Sequence, residues 1–70
     1  MQNDKHIYAV LWMDFGIPLH LIKDSADSAI KSAQAMRDKA LANNITLHHL
    51  RAVSLAPDAN NLITLWEAGV

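Results

Sequence analysis

The sequence predicts an α+β fold: a four-stranded antiparallel sheet in ββαββ order, with one helix packed on one face. Three features predict it. Two short apolar segments rich in β-branched and aromatic residues meet across Asp14, Phe15 and Gly16; an alanine-rich stretch without glycine or proline fills residues 26–41; and β-forming residues return after Asn44. The 70 residues suit one domain, 1–70. At that size folding buries only about 60% of the surface of the unfolded chain. Cysteine is absent, so no disulfide adds to a small core.

Residues 1–4 read as a polar lead-in. The first strand, residues 6–13, concentrates Ile7, Tyr8, Val10 and Trp12 in a run too short for an ordinary helix. Asp14, Phe15 and Gly16 interrupt it, and an apolar alternation resumes through Leu19 and Leu21, so residues 6–23 read as a β-hairpin. A three-residue loop is expected, with Gly16 in the left-handed last position that glycine occupies without steric cost. That loop pairs Met13 with Ile17.

Residues 25–43 read as the helix. Asp24 or Ser25 can accept a hydrogen bond from the first free amides, and Asp27 adds negative charge to the first turn. Ala26, Ala29, Ile30, Ala33, Met36, Arg37, Ala40 and Leu41 recur at three- and four-residue steps, and all but Arg37 are apolar, which is the pattern of one buried stripe. Ser28, Lys31, Gln34 and Asp38 fall on the outer side, where Asp27 and Lys31 are spaced to pair. Asn43 and Asn44 end the helix, since asparagine tolerates a left-handed cap.

Residues 45–67 read as a second β-hairpin, with Pro57, Asp58, Asn60 and Asn61 in its turn. Leu62, Leu65 and Trp66 also match helical spacing, but Ile63, Thr64 and Trp66 favour a strand. The helix carries the chain back along the sheet, so a right-handed crossover sets the third strand beside the first and gives the order 2-1-3-4.

Pairing Met13 with Ile17 places Ile7, Ala9, Leu11, Met13, Ile17, Leu19 and Leu21 on one face, which the helix is expected to cover. The opposite face then presents Tyr8, Val10, Trp12, Pro18, His20 and Ile22, where a one-sided sheet normally shows polar residues. Tyr8, Val10, Trp12, His20 and Ile22 are accordingly the expected partner-binding residues.

Other functions find little support in the residues. Seven acidic side chains stand against six basic ones with no basic run, so the electrostatic footprint of a nucleic-acid binder is missing. The apolar run from Ile7 to Met13 is too short to span a bilayer, and a cytoplasmic location is the default expectation. Asp14, Phe15 and Gly16 spell the magnesium-binding tripeptide of protein kinases, which works only beside a nucleotide-binding lobe that 70 residues cannot hold. His48 and His49 are neighbours whose side chains point to opposite faces of a strand, and no carboxylate falls at a ligand offset from two histidines, so no metal site, cofactor or catalytic residue is assigned. The expected function is a non-enzymatic protein–protein interaction module, an accessory or inhibitory protein that binds a partner, a second copy of itself as a homodimer, or both. The alternative is a small-molecule binding protein or small enzyme whose site forms at a homodimer interface.

Overall fold

The computed structural model describes residues 6–56 and 61–68. The expected lead-in and the turn at Pro57, Asp58 and Asn60 lie outside the described residues. The elements are β1 (Ile7–Asp14), β2 (Ile17–Lys23), α1 (Ala26–Ala42), β3 (His48–Ala56) and β4 (Asn61–Glu67). They form one four-stranded sheet in the order β2-β1-β3-β4, antiparallel throughout, with α1 packed against it. This is the α+β, ββαββ arrangement the sequence predicts. The last segment is a strand, and the second hairpin begins at His48 rather than at residue 45.

The first hairpin differs from expectation by one residue. Asp14 pairs with Ile17, so the loop is the two residues Phe15 and Gly16, and Met13 pairs with Pro18. Both loop residues are left-handed, with φ of 53° at Phe15 and 76° at Gly16. A turn with two positive φ values matches the right-handed twist of its strands, which is why two-residue hairpins adopt it. Because side chains alternate with period two, the one-residue difference moves β2 to the other face relative to β1.

The helix ends follow the sequence closely. Ser25 Oγ accepts a hydrogen bond from Ser28 N at 3.1 Å, and Asp27 and Lys31 pair at 3.3 Å on the exposed side. At the other end Asn44 is left-handed, with φ of 56°. Asn44 N–H donates to Leu41 O and Ile45 N–H to Ala40 O, the two-bond closure that satisfies the last carbonyls of a helix.

Ala29, Ala33 and Ala40 are buried, and Ile30 and Met36 pack beside them, as the helical spacing requires. Leu41, also expected in the stripe, is exposed. Small helix residues permit close approach to the sheet, where Val10, Leu50 and Ala52 complete the core and Tyr8, Trp12, Leu65 and Trp66 pack around it. Arg37 lies over the Trp66 ring, 5.3 Å from its centroid. That cation–π contact is worth about 0.5–1 kcal/mol at an exposed site. Among the described residues, Val10 and Val53 are the largest fully buried side chains. A core without a buried Leu–Phe cluster leaves little reserve of stability.

Two irregularities shape the sheet. Leu11 pairs with Arg51 but Met13 with His48, so His49 and Leu50 together oppose Trp12. His49 has φ of 57°, a left-handed residue at a bulge of the kind that bends and twists a strand. In β4, Ala52 pairs with Trp66 and Val53 with Thr64, leaving Leu65 as the extra residue.

Candidate functional site

The register fixes which side chains share each face. On the side covered by α1, Tyr8, Val10 and Trp12 of β1 align with Lys23, Leu21 and Leu19 of β2 and with Ser54 and Ala52 of β3. Ser54 is buried, and its hydroxyl shares a 3.4 Å hydrogen bond with His6 Nδ1, whose ring stacks on Tyr8.

The expected partner-binding set therefore divides. Val10 is fully buried in the core under α1, and Tyr8 and Trp12 pack against that core. The placement of these three on the uncovered face is corrected by the register. His20 and Ile22 do lie on the uncovered face, because they pair with Leu11 and Ala9. The residues first assigned beneath the helix, Ile7, Ala9, Leu11 and Met13, are the ones that line the open side with them.

That open side reads in cross-strand rows. Pro18 and Met13 align with His48; His20 and Leu11 align with Arg51 and Glu67; Ile22 and Ala9 align with Val53 and Thr64; Ile7 aligns with Leu55 and Leu62. Ile22 is 59% exposed, Leu62 50% and Ile7 40%. Val53 and Ala9, at the middle of the face, are buried. One end of the face thus carries His20, Arg51 and Glu67, and the other carries Ile7, Ile22, Leu55 and Leu62. Arg51 donates to the carbonyl oxygen of His49 at 3.3 Å. Among the described residues, Glu67 makes no ion pair.

Strand β2 is an edge of the sheet, and all its residues but Lys23 are exposed. Ile17, Leu19 and Leu21 point toward the helix side without lying under it, and Pro18 interrupts the edge. In antiparallel pairing adjacent residues alternate between bonding inward and facing outward. Asp14 and Ile17 close the turn, so position 18 faces outward, where proline's missing N–H breaks no ladder bond.

A second cluster sits at the turn end of the molecule. Phe15 is 93% exposed, and Ile17 and Ile45 are also exposed. Asp14, Phe15, Gly16, Ile45 and His48 line one open recess there. Among the described residues, the non-glycine residues with positive φ are Phe15 in this turn, Asn44 in the link from α1 to β3, and His49 in the first part of β3.

The recess at the turn end, about 510 Å³, is open to solvent and brings together no cluster of titratable groups among the described residues. The cleft between the end of α1 and β3, lined by Arg37, Leu41, Ile45, Leu47 and Leu50 among others, holds about 190 Å³, below the 300–1,000 Å³ usual for small-ligand pockets. Among the described residues, no three histidine, aspartate or glutamate side chains stand together to hold a metal ion. No described helix is long and apolar enough to cross a membrane.

Sequence reasoning missed Leu11, Met13, Leu55, Leu62 and Arg51 as members of the open face. The signal that locates Leu11 and Met13 beside His20 and Ile22 is the Phe15-Gly16 pair read as a complete two-residue turn; Arg51, Leu55 and Leu62 follow only from the pairing of β3 and β4, each with its own register shift. Comparison of the chain with family models, with curated proteins and with solved structures gives no match.

Proposed function

We propose that this protein is a non-enzymatic protein-interaction module, a small accessory or inhibitory protein that works in the cytoplasm by occupying a partner's surface with its uncovered sheet face. One observation carries the reading: Ile7, Leu11, Met13, Ile22, Leu55 and Leu62 stand on the side of the sheet that α1 leaves bare. A sheet covered on one side normally turns polar residues to water on the other. Contiguous exposed apolar surface rimmed by polar groups marks an interaction site. Here Ile7, Ile22, Leu55 and Leu62 form the apolar part, bounded on one side by the row that holds His20, Arg51 and Glu67.

The test is affinity capture of the tagged protein from its host, with mass spectrometry of the recovered proteins. Ile22→Asp and Leu62→Asp place charges on the open face, and Gln34→Glu places one on the outer side of α1. Proteins that bind wild type and Gln34→Glu, and are lost with both face variants, support the reading. Equal recovery by all four forms refutes it.

A further inference from the structure

We infer that the occupant of the open face is a second copy of this chain, stacked face to face about a two-fold axis that runs parallel to the strands and sets His20 of each copy against Glu67 of the other. The inference rests on the interaction reading of this face, which it makes specific.

Area is the first argument. Four strands spaced about 4.8 Å apart, with seven residues rising about 3.4 Å each, present a flat area of about 450 Å² per copy, hence about 900 Å² in a stacked pair. Side-chain relief adds to that projection. The total reaches the roughly 1,000 Å² expected of a biological interface. Pairing two β2 edges side by side covers only one strand's length at the thickness of a single sheet, and Pro18 removes one of the few outward donors along it. The face, not the edge, is the surface large enough to hold a copy.

Charge is the second argument, and it chooses the axis. His20, Leu11, Arg51 and Glu67 occupy one row, in that order across the sheet. His20 stands on one edge strand and Glu67 on the other, at equal distances from the line between β1 and β3. Rotation by 180° about that line, with the two sheets facing, exchanges the edges and keeps the row at the same height. The imidazole of each copy then meets the carboxylate of the other, and an imidazole N–H donates to a carboxylate in either protonation state of the ring. The same operation sets Ile22 over Thr64 and Ile7 over Leu55 across the interface. A two-fold axis across the strands instead superposes β2 on β2 and brings no acid to His20. Aligned stacking is also the geometry that twisted sheets prefer, with strands within about 30° of each other.

The experiment is sedimentation equilibrium on the full chain from low to high micromolar concentration, applied to wild type, His20→Glu, Glu67→Lys, the double variant His20→Glu/Glu67→Lys, and Ile22→Asp. Circular dichroism of each verifies folding, and Ile22→Ser replaces Ile22→Asp if the latter melts. Wild type is expected at twice the chain mass. Each charge substitution acts at both symmetric contacts and is expected to raise the dissociation constant at least about tenfold. The double variant, which exchanges the two charges, is expected to recover most of that loss, and Ile22→Asp to give the monomer. A monomer at every concentration overturns the inference while leaving the capture test of a foreign partner to stand or fall separately. A dimer untouched by Ile22→Asp or Ile22→Ser overturns it by showing association through another surface. A dimer lost with Ile22→Asp but indifferent to the charge exchange overturns the axis.

Discussion

Replacing Phe15 with asparagine should make the protein more stable, although Phe15 is the more hydrophobic residue. Phe15 holds φ of 53° at the first loop position of the β1–β2 turn. A left-handed backbone costs an ordinary L-residue about 1–2 kcal/mol, and asparagine adopts it with less strain. The phenyl ring recovers none of that cost, because Phe15 is 93% exposed. The substitution should therefore gain about 1 kcal/mol, which raises the melting temperature by about 4–8 °C for a domain of this size. Glycine at the same position also removes the strain but loses about 0.5–1 kcal/mol to the freedom of the unfolded chain, so Phe15→Gly should gain less. A β-branched residue fits this backbone worst, and Phe15→Val should lower the midpoint. Thermal unfolding followed by circular dichroism gives the order Asn, Gly, Phe, Val from most to least stable. A lower melting temperature for Phe15→Asn, or equal values for Asn and Val, would refute the left-handed assignment of residue 15, and with it the pairing of Asp14 with Ile17.

Three further outcomes test the packing. Ala33→Glu should cost several kcal/mol and unfold the domain, because Ala33 is fully buried against the sheet; Gln34→Glu, one residue on, should change the denaturation midpoint little, and equal midpoints would contradict the helical phase. Val10→Ala should cost about 2 kcal/mol through two lost methyl groups and the space they leave, whereas Ile22→Ala, in protein dilute enough to be monomeric, should cost less than 1 kcal/mol in the same urea titration. Finally, His49→Gly should be neutral or stabilising at its φ of 57°, while His49→Val should cost more than 1 kcal/mol; the reverse order in chemical denaturation would show that the β3 bulge is misplaced.

The parts of the fold that were legible in the sequence are those specified by local chemistry. Ser25 as the N-cap, Asn44 as the left-handed cap residue and the alanine spacing of α1 each express a preference that the rest of the protein need not supply. The sheet order followed from the length of α1 and the number of strands. The facing of β1 was not legible, because both of its sides are apolar: Tyr8, Val10 and Trp12 on one, Ile7, Ala9, Leu11 and Met13 on the other. Only the turn decides between them, and Phe15 is a poor advertisement for a two-residue turn, whose first position usually holds asparagine, aspartate or glycine. The aromatic residues that suggested a binding surface instead fill the space left by alanines on the facing helix. His20 and Ile22 fall on the open side in either register, because they alternate with Leu19 and Leu21, which face the helix side. Leu41 falls outside the stripe because it lies about 100° round the helix from Ala40, the buried residue of the same turn.

The sheet order has a consequence for synthesis. Strand β1 is central, yet its partner on one side is its immediate neighbour and on the other is β3, which ends at Ala56, 42 residues beyond Asp14. A hairpin such as β1–β2 closes in about 1–10 μs. Ribosomes add about 5–20 residues per second, so β3 follows β1 by about 2 to 8 s. Throughout that interval the emerging chain carries a strand that is apolar on both sides and has one unpaired edge, with Val10 and Val53 not yet able to meet their final surroundings. The interval exceeds the closure time of the hairpin more than a hundred-thousandfold, long enough for holding chaperones to engage the nascent chain, and a chain with β2 out of the ribosome but β3 not yet emerged would display the most adhesive form of this protein.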